Sequence, residues 1–172
     1  MRRIRRRRSA EANLRREAAA RGIDPARIVF ARRMPQAEHL ARHRLADLFL
    51  DTLPYNAHTT ASDALWTGLP VVTCLGNTFA GRVAASLLHA VGMSDLVTSD
   101  LHAYERLARR LASEPALLGE LRQRLQRNRL SQPLFDTDRY RRSLEAAYIA
   151  MWERWQRGDD AASFAVQGEN SL

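Results

Sequence analysis

The stretch that most constrains this fold runs from Asp51 to Pro70. An apolar run, Leu48-Phe49-Leu50, ends at Asp51, and a loop containing Pro54 and Asn56 follows. Thr59-Thr60 then opens a helix-forming segment, which Gly68-Leu69-Pro70 closes before the next apolar run, Val71-Val72-Thr73-Cys74. Strand, loop, helix and strand within about thirty residues is the size of a βαβ unit. Ligands of such units sit beyond the carboxyl ends of the strands, where helix N-termini present unsatisfied N–H groups and partial positive charge. The two hydroxyls of Thr59 and Thr60 and the acid of Asp63 at that place suggest a site for a phosphorylated ligand. The spacing from Thr60 to Asp63 also reads as a capping box that closes the helix start on itself. Spacing alone leaves both readings open.

Around this unit the chain alternates in type. Ser9 to Arg21 is rich in helix formers and stops at Gly22, and Arg27-Ile28-Val29-Phe30-Ala31 has the β-branched character of a first strand. Pro35 to Leu45 reads as a helix, with His39 and Arg42 three apart on one face and His43 and Arg44 beside them. Strands are expected over Ala46–Asp51, Val71–Leu75 and Asp95–Val97. Gly76 to Ala80 forms a loop, and the helix that opens at Gly81 carries the small residues Ala84, Ala85 and Ser86, suited to close packing on a sheet. Leu101 to Ala112, Pro115 to Leu130 and Asp138 to Gln156 have apolar residues at helical intervals. Tyr140, Tyr148, Trp152 and Trp155 lie at that spacing in the last of them and read as packing residues. The pattern predicts an α/β fold, a Rossmann-like parallel sheet flanked by helices. Its expected parts are a basic arm over 1–8, one lobe over 9–157 and a flexible tail over 158–172.

Charge adds little to this. The net charge is +8, and every one of the 27 basic residues is arginine. Six of these lie in Met1–Arg8, which leaves +2 for the remainder. The arm reads as a solvated, disordered terminus rather than as a nucleic-acid or membrane-binding element. The single cysteine, Cys74, excludes an internal disulfide and a cysteine-based zinc site. No apolar run approaches a membrane span and none follows the basic start as a secretory signal would, so the chain reads as cytoplasmic.

From Arg27 to about Trp155 the sequence resembles the C-terminal catalytic lobe of the protein O-GlcNAc transferases. Asp51-Thr52, Asn56, His58-Thr59-Thr60, Asp63, Leu65-Trp66, Gly68 and Pro70 match that family's central motif. Gly76, Arg82-Val83-Ala84-Ala85-Ser86, Pro133-Leu134-Phe135 and Met151-Trp152-Glu153 match further along. The resemblance implies one lobe of a two-lobed enzyme of glycosyltransferase-B type, moving N-acetylglucosamine from UDP-GlcNAc to Ser or Thr hydroxyls of an acceptor protein. It implies that His39 and Arg42 hold the uracil and that Asp63 accepts from the ribose hydroxyls. It places Thr59 and Thr60 on the diphosphate and His58 near the diphosphate and sugar. No metal or other cofactor is implied; the family's proposed catalytic histidine belongs to the other lobe, and the catalytic residues of this chain stay unknown. Better-known members carry a lysine where this chain has Gln36, which can bond a ribose or phosphate oxygen but brings no charge. The first strand of the lobe, the other lobe and the preceding helical repeats have no counterpart here, so the expectation is a truncated donor-binding lobe that transfers no sugar alone. Rival readings are a transferase using GDP-fucose or glycosylating Asn, and a non-catalytic nucleotide-binding or interaction module.

Overall fold

The computed structural model describes residues 2–166, with side chains described from Ser9 onward. It divides into two compact units, Met1–His39 and Leu40–Leu172.

In the first unit, helix α1 spans Arg2–Ala20, so it begins seven residues before its expected start and takes in the stretch expected as a disordered arm. Arginine is among the better helix formers, and nothing in the run before Ser9 breaks a helix. The stop at Gly22 is as expected. A 3-10 turn over Pro25–Arg27 follows, and the Asp24 carboxylate caps it by accepting from the Ala26 N–H at 2.9 Å. The strand expected over Arg27–Ala31 does not form. Ile28 is extended, but the segment joins no ladder among the described residues, and Val29 is 87% exposed. Strand propensity is largely the packing of side chains on a pleated surface, and it lapses where no such surface is offered. Phe30 instead sits under the Arg15 guanidinium, 5.1 Å from carbon to ring centre, and Arg15 donates to the Pro25 carbonyl. Helix α2, Gln36–Arg42, crosses the division between the units. The helix expected to reach Leu45 tightens at His43 into a 3-10 turn, His43–Leu45.

The second unit holds a parallel sheet of three strands, β1 (Phe49–Leu50), β2 (Val71–Cys74) and β3 (Val97–Thr98), in the order β1-β2-β3. Phe49 pairs with Val71 and Leu50 with Val72, while Thr73 pairs with Val97 and Cys74 with Thr98. Backbone bonds carry the ladders further, from the Asp51 N–H to the Val72 carbonyl at 3.0 Å and from the Leu75 N–H to the Thr98 carbonyl at 2.8 Å. β2 is buried at all four positions, as its unbroken apolar run requires of a central strand in a parallel sheet. The expected strand over Asp95–Val97 forms later, because Ser94–Leu96 takes a 3-10 turn first.

Helices α3 (Thr59–Trp66) and α4 (Val83–Ala90) make the two crossovers. Gly68, at φ 85°, ends α3. Its left-handed backbone lets the Leu69 N–H reach back to the Ala64 carbonyl at 2.9 Å, and the chain turns straight into β2. Helices α5 (Leu101–Ser113) and α6 (Pro115–Ser131) complete the core with Leu111, Leu121 and Leu125. These pack with Leu65, Val71, Val72, Leu88, Met93 and Leu96. Full burial of each such side chain contributes about 1.5–3 kcal/mol.

Helix α7 spans Thr137–Gln156 and buries none of its residues. Tyr140, Tyr148, Trp152 and Trp155 are exposed, so the packing expected of them is not on this core. Trp152 and Trp155 lie against each other with ring centres 4.9 Å apart. Of the expected tail, residues 161–166 have no regular structure and 167–172 lie outside the described residues.

Candidate functional site

Two loops leave the carboxyl ends of β1 and β2 side by side. The first runs from Asp51 to His58 and is ordered by a buried acid. Asp51 is 6% exposed, and its Oδ1 accepts from the backbone N–H groups of Thr52 at 2.8 Å and Ala57 at 2.7 Å. Its Oδ2 accepts from the Thr73 hydroxyl on β2 at 2.7 Å. One carboxylate therefore fixes both ends of the loop and fastens it to the neighbouring strand. Charge-assisted bonds of this kind are the stronger class of hydrogen bond.

Asn56, 1% exposed, carries the arrangement across to the other loop. Its side-chain amide donates to the Thr52 carbonyl at 3.0 Å, and its backbone N–H donates to the Ala80 carbonyl at 2.9 Å. The Thr52 hydroxyl donates to the Tyr55 carbonyl at 3.1 Å. In the loop after β2 the Gly76 N–H donates to the Gly81 carbonyl at 2.7 Å. A Cβ on Gly76 would come within 3.0 Å of that carbonyl oxygen, and one on Gly81 within 3.2 Å of the Pro54 carbonyl oxygen. The two glycines are what lets the backbones approach this closely.

From β3's side, Tyr104 on α5 donates its hydroxyl to the Asp51 carbonyl at 2.8 Å. Burial first, then the charges of Asp51 and Cys74, push its phenol up to about 12. It is thus a fixed donor at neutral pH. The start of α5 is capped by Asp100, whose carboxyl accepts from the Ala103 N–H at 2.8 Å. That bond chiefly holds its pKa below the usual carboxylate value.

Between these loops and α3 lies a cleft of about 330 Å³, lined by Asp51, Thr52, Tyr55, Asn56, His58 and Thr60 among others. His58 is the cap residue just before α3, and its side chain makes no capping bond. Its carbonyl accepts from Ala61 at 3.1 Å and Ser62 at 3.0 Å, so the Thr59 and Thr60 N–H groups have no acceptor within the helix. This corrects the capping-box reading. With the cap at His58, Thr60 is already inside the first turn, so Thr60 and Asp63 are out of register with a capping box. The His58 ring stacks on Tyr55, with centres 4.9 Å apart and 15° between planes, and meets Phe79 edge-on at 6.2 Å. Its Nε2 lies 3.5 Å from the Ala80 carbonyl oxygen.

The sequence-predicted residues are thus placed unevenly. His58 and Thr60 line the cleft, and Thr59 opens the same helix turn, exposed. Asp63 is one turn further along α3, half-buried and outside the cleft lining. His39 and Arg42 are both half-buried on α2, with His39 in the first unit and Arg42 in the second. Arg82, just before α4, donates to the Gly76 carbonyl at 3.3 Å. Tyr104, Thr73 and Tyr55 escaped sequence reasoning. The first two act on Asp51 from 53 and 22 residues away, and no local spacing announces that. Among the described residues, no three His, Cys, Asp or Glu side chains converge as a metal centre requires. Nor is any described helix long and apolar enough to cross a membrane.

The second unit is thus a parallel α/β unit with a cleft beyond its strands, beside the start of α3. The sequence matches Glycosyl transferase family 41 over residues 2–144, and the chain belongs to that family. It is 39% identical over 148 residues to the UDP-N-acetylglucosamine–peptide N-acetylglucosaminyltransferase of Caenorhabditis elegans, covering 86% of this chain and 13% of that protein. It is 39% identical over 165 residues to the probable UDP-N-acetylglucosamine–peptide N-acetylglucosaminyltransferase SEC of Arabidopsis thaliana, covering 95% of this chain and 17% of that one. The fold superposes on a point mutant of the Thermobaculum terrenum O-GlcNAc transferase with a TM-score of 0.74 and 34% identity, over 86% of this chain and 29% of the other. The chain thus spans less than a fifth of the length of these two curated relatives.

Proposed function

We propose that this chain is the donor-binding part of a cytoplasmic glycosyltransferase that moves N-acetylglucosamine from UDP-N-acetylglucosamine to Ser or Thr hydroxyls of proteins. The observation that carries the reading is the start of α3, where the first-turn N–H groups meet no side-chain cap and Thr59 and Thr60 stand beside the cleft, both exposed. Displacement at the anomeric carbon leaves a diphosphate, and its negative charge is what such a site must stabilise. A helix N-terminus with hydroxyls does this without a metal ion. In this reading His58 lies against the sugar–diphosphate junction, Asp63 takes the ribose hydroxyls, and His39 and Arg42 hold the uracil. The acceptor protein and the other lobe of a two-lobed enzyme are the partners, and transfer requires both.

Calorimetric titration with UDP, uridine and GDP tests this. The expected result is UDP binding at least about tenfold tighter than uridine, with that advantage reduced severalfold in Thr60→Val. Equal affinity for UDP and uridine refutes the diphosphate site, and a preference for GDP moves the donor to the guanosine class.

A further inference from the structure

Thr73 is out of place by composition. It stands on the central strand β2, 0% exposed, in the run Val71-Val72-Thr73-Cys74, whose other members are buried apolar side chains. A buried hydroxyl without a partner is destabilising, and valine would fill the same space. This hydroxyl has a partner. It donates to the Asp51 Oδ2 at 2.7 Å, while the Thr73 carbonyl accepts from the Thr98 hydroxyl on β3 at 3.0 Å. These bonds link all three strands in a row at their carboxyl ends. Thr73 is not among the residues lining the cleft, so its hydroxyl reaches the site only through Asp51.

We infer that Thr73 is a positioning residue for the diphosphate end of the donor site, acting through the Asp51 carboxylate. The inference rests on the proposed reading of the cleft. With Oδ2 held by Thr73, the carboxylate plane is fixed and Oδ1 stays aimed at the Ala57 N–H, 2.7 Å away. Ala57 is followed directly by His58, the cap of α3, and then by Thr59 and Thr60. The first turn of α3 is therefore placed from β2 in the free chain, which spares ligand binding the entropy of ordering it. A valine at 73 would keep the strand but release Oδ2, and the ligand would then have to order the loop and the helix start. Uridine lacks the diphosphate and makes no use of that turn, so the loss should fall on UDP.

The test is calorimetry with UDP and with uridine on the full chain and on its Thr73→Val and Thr73→Ser variants. UDP should bind the wild type at least about tenfold tighter than uridine. In Thr73→Val that advantage should fall at least about threefold, with uridine affinity changed by less than about twofold. Thr73→Ser, which keeps the hydroxyl, should hold the advantage within about twofold of the wild type. A purely structural threonine would lower both affinities together or neither, because partial unfolding removes sites for both ligands alike. Where Thr73→Val fails to fold, amide hydrogen exchange of the wild-type chain decides. Without UDP, the Ala57 amide should be as protected as the Asp51 amide of the sheet ladder. Both affinities falling together in Thr73→Val, an advantage unchanged there, a Thr73→Ser loss as large as that of Thr73→Val, or an Ala57 amide protected only with UDP overturns the inference and leaves the donor site standing. Equal affinity of the wild type for UDP and uridine overturns the proposed function and this inference with it.

Discussion

Two stretches of this chain lie outside helices and strands and are held in very different ways. Thr52–His58 is fixed by the Asp51 carboxylate at both ends, by the Thr52 hydroxyl within, and by Asn56 across to Ala80. Ile28–Arg33 follows a short turn and leaves Val29 almost wholly in solvent, while Phe30 lies under Arg15. Composition alone would rank Ile28–Arg33 as the more structured of the two. It is β-branched and apolar, whereas Thr52–His58 is rich in the residues of turns. Thr52–His58 shows that a connecting segment can be held wherever its backbone polar groups find buried partners. Buried acids and amides that meet several of them at once do more than local propensity.

The largest effect should come from removing that partner. Asp51→Ala leaves two backbone N–H groups and the Thr73 hydroxyl without their acceptor in a buried place. The expected loss is about 3–4 kcal/mol in a denaturant titration, with UDP affinity falling along with the loop. A loss under about 1 kcal/mol would mean that the loop is held from elsewhere and that Asp51 is incidental.

This contrast also marks how far the sequence can be read. The βαβ unit, the start of α3 at Thr59, its stop at Gly68 and the buried run Val71–Cys74 are all legible, because each is written in neighbouring residues. So are α5, α6 and α7 to within about two residues, as expected for long periodic segments. The strand expected over Arg27–Ala31 is absent because strand character needs a partner that local sequence does not reveal. The capping box fails by a shift of the cap from Thr60 to His58, which spacing cannot resolve. In the site, the residues on α3 can be found from order along the chain. The hydrogen bonds that shape the cleft join Asp51 to Thr73 and Tyr104 across 22 and 53 residues, and those follow only from the packed sheet.

A smaller effect should come from Tyr104, which holds the same loop from outside. Tyr104→Phe removes one hydrogen bond to the Asp51 carbonyl and should cost about 1 kcal/mol at neutral pH. Its pH dependence sharpens the point. The phenol's pKa is raised in the folded chain to about 12 from its ordinary value of 10.0, so folding favours the protonated form. Its contribution is fully present below about pH 10 and is lost as pH rises from 10 toward 12, while the unfolded chain ionises first. Melting temperatures across that window should fall less steeply for Tyr104→Phe than for the wild type. Parallel curves would show that Tyr104 titrates like an exposed tyrosine.

The smallest effect should be at Val29, and its smallness is the informative part. If Ile28–Arg33 were a strand sharing the core, replacing a β-branched apolar residue at its centre would cost what such burial contributes, about 1.5–3 kcal/mol. With Val29 87% exposed there is almost no burial to lose. Val29→Ser should therefore change stability by no more than about 0.5 kcal/mol, in the range of ordinary surface substitutions. Phe30→Ser in the same segment should cost more, because it removes the ring beneath Arg15. Denaturant titrations of the two variants side by side make the comparison internal to one stretch. A Val29→Ser loss equal to or above that of Phe30→Ser would mean that the segment finds a strand partner in solution, and the contrast with Thr52–His58 would fall.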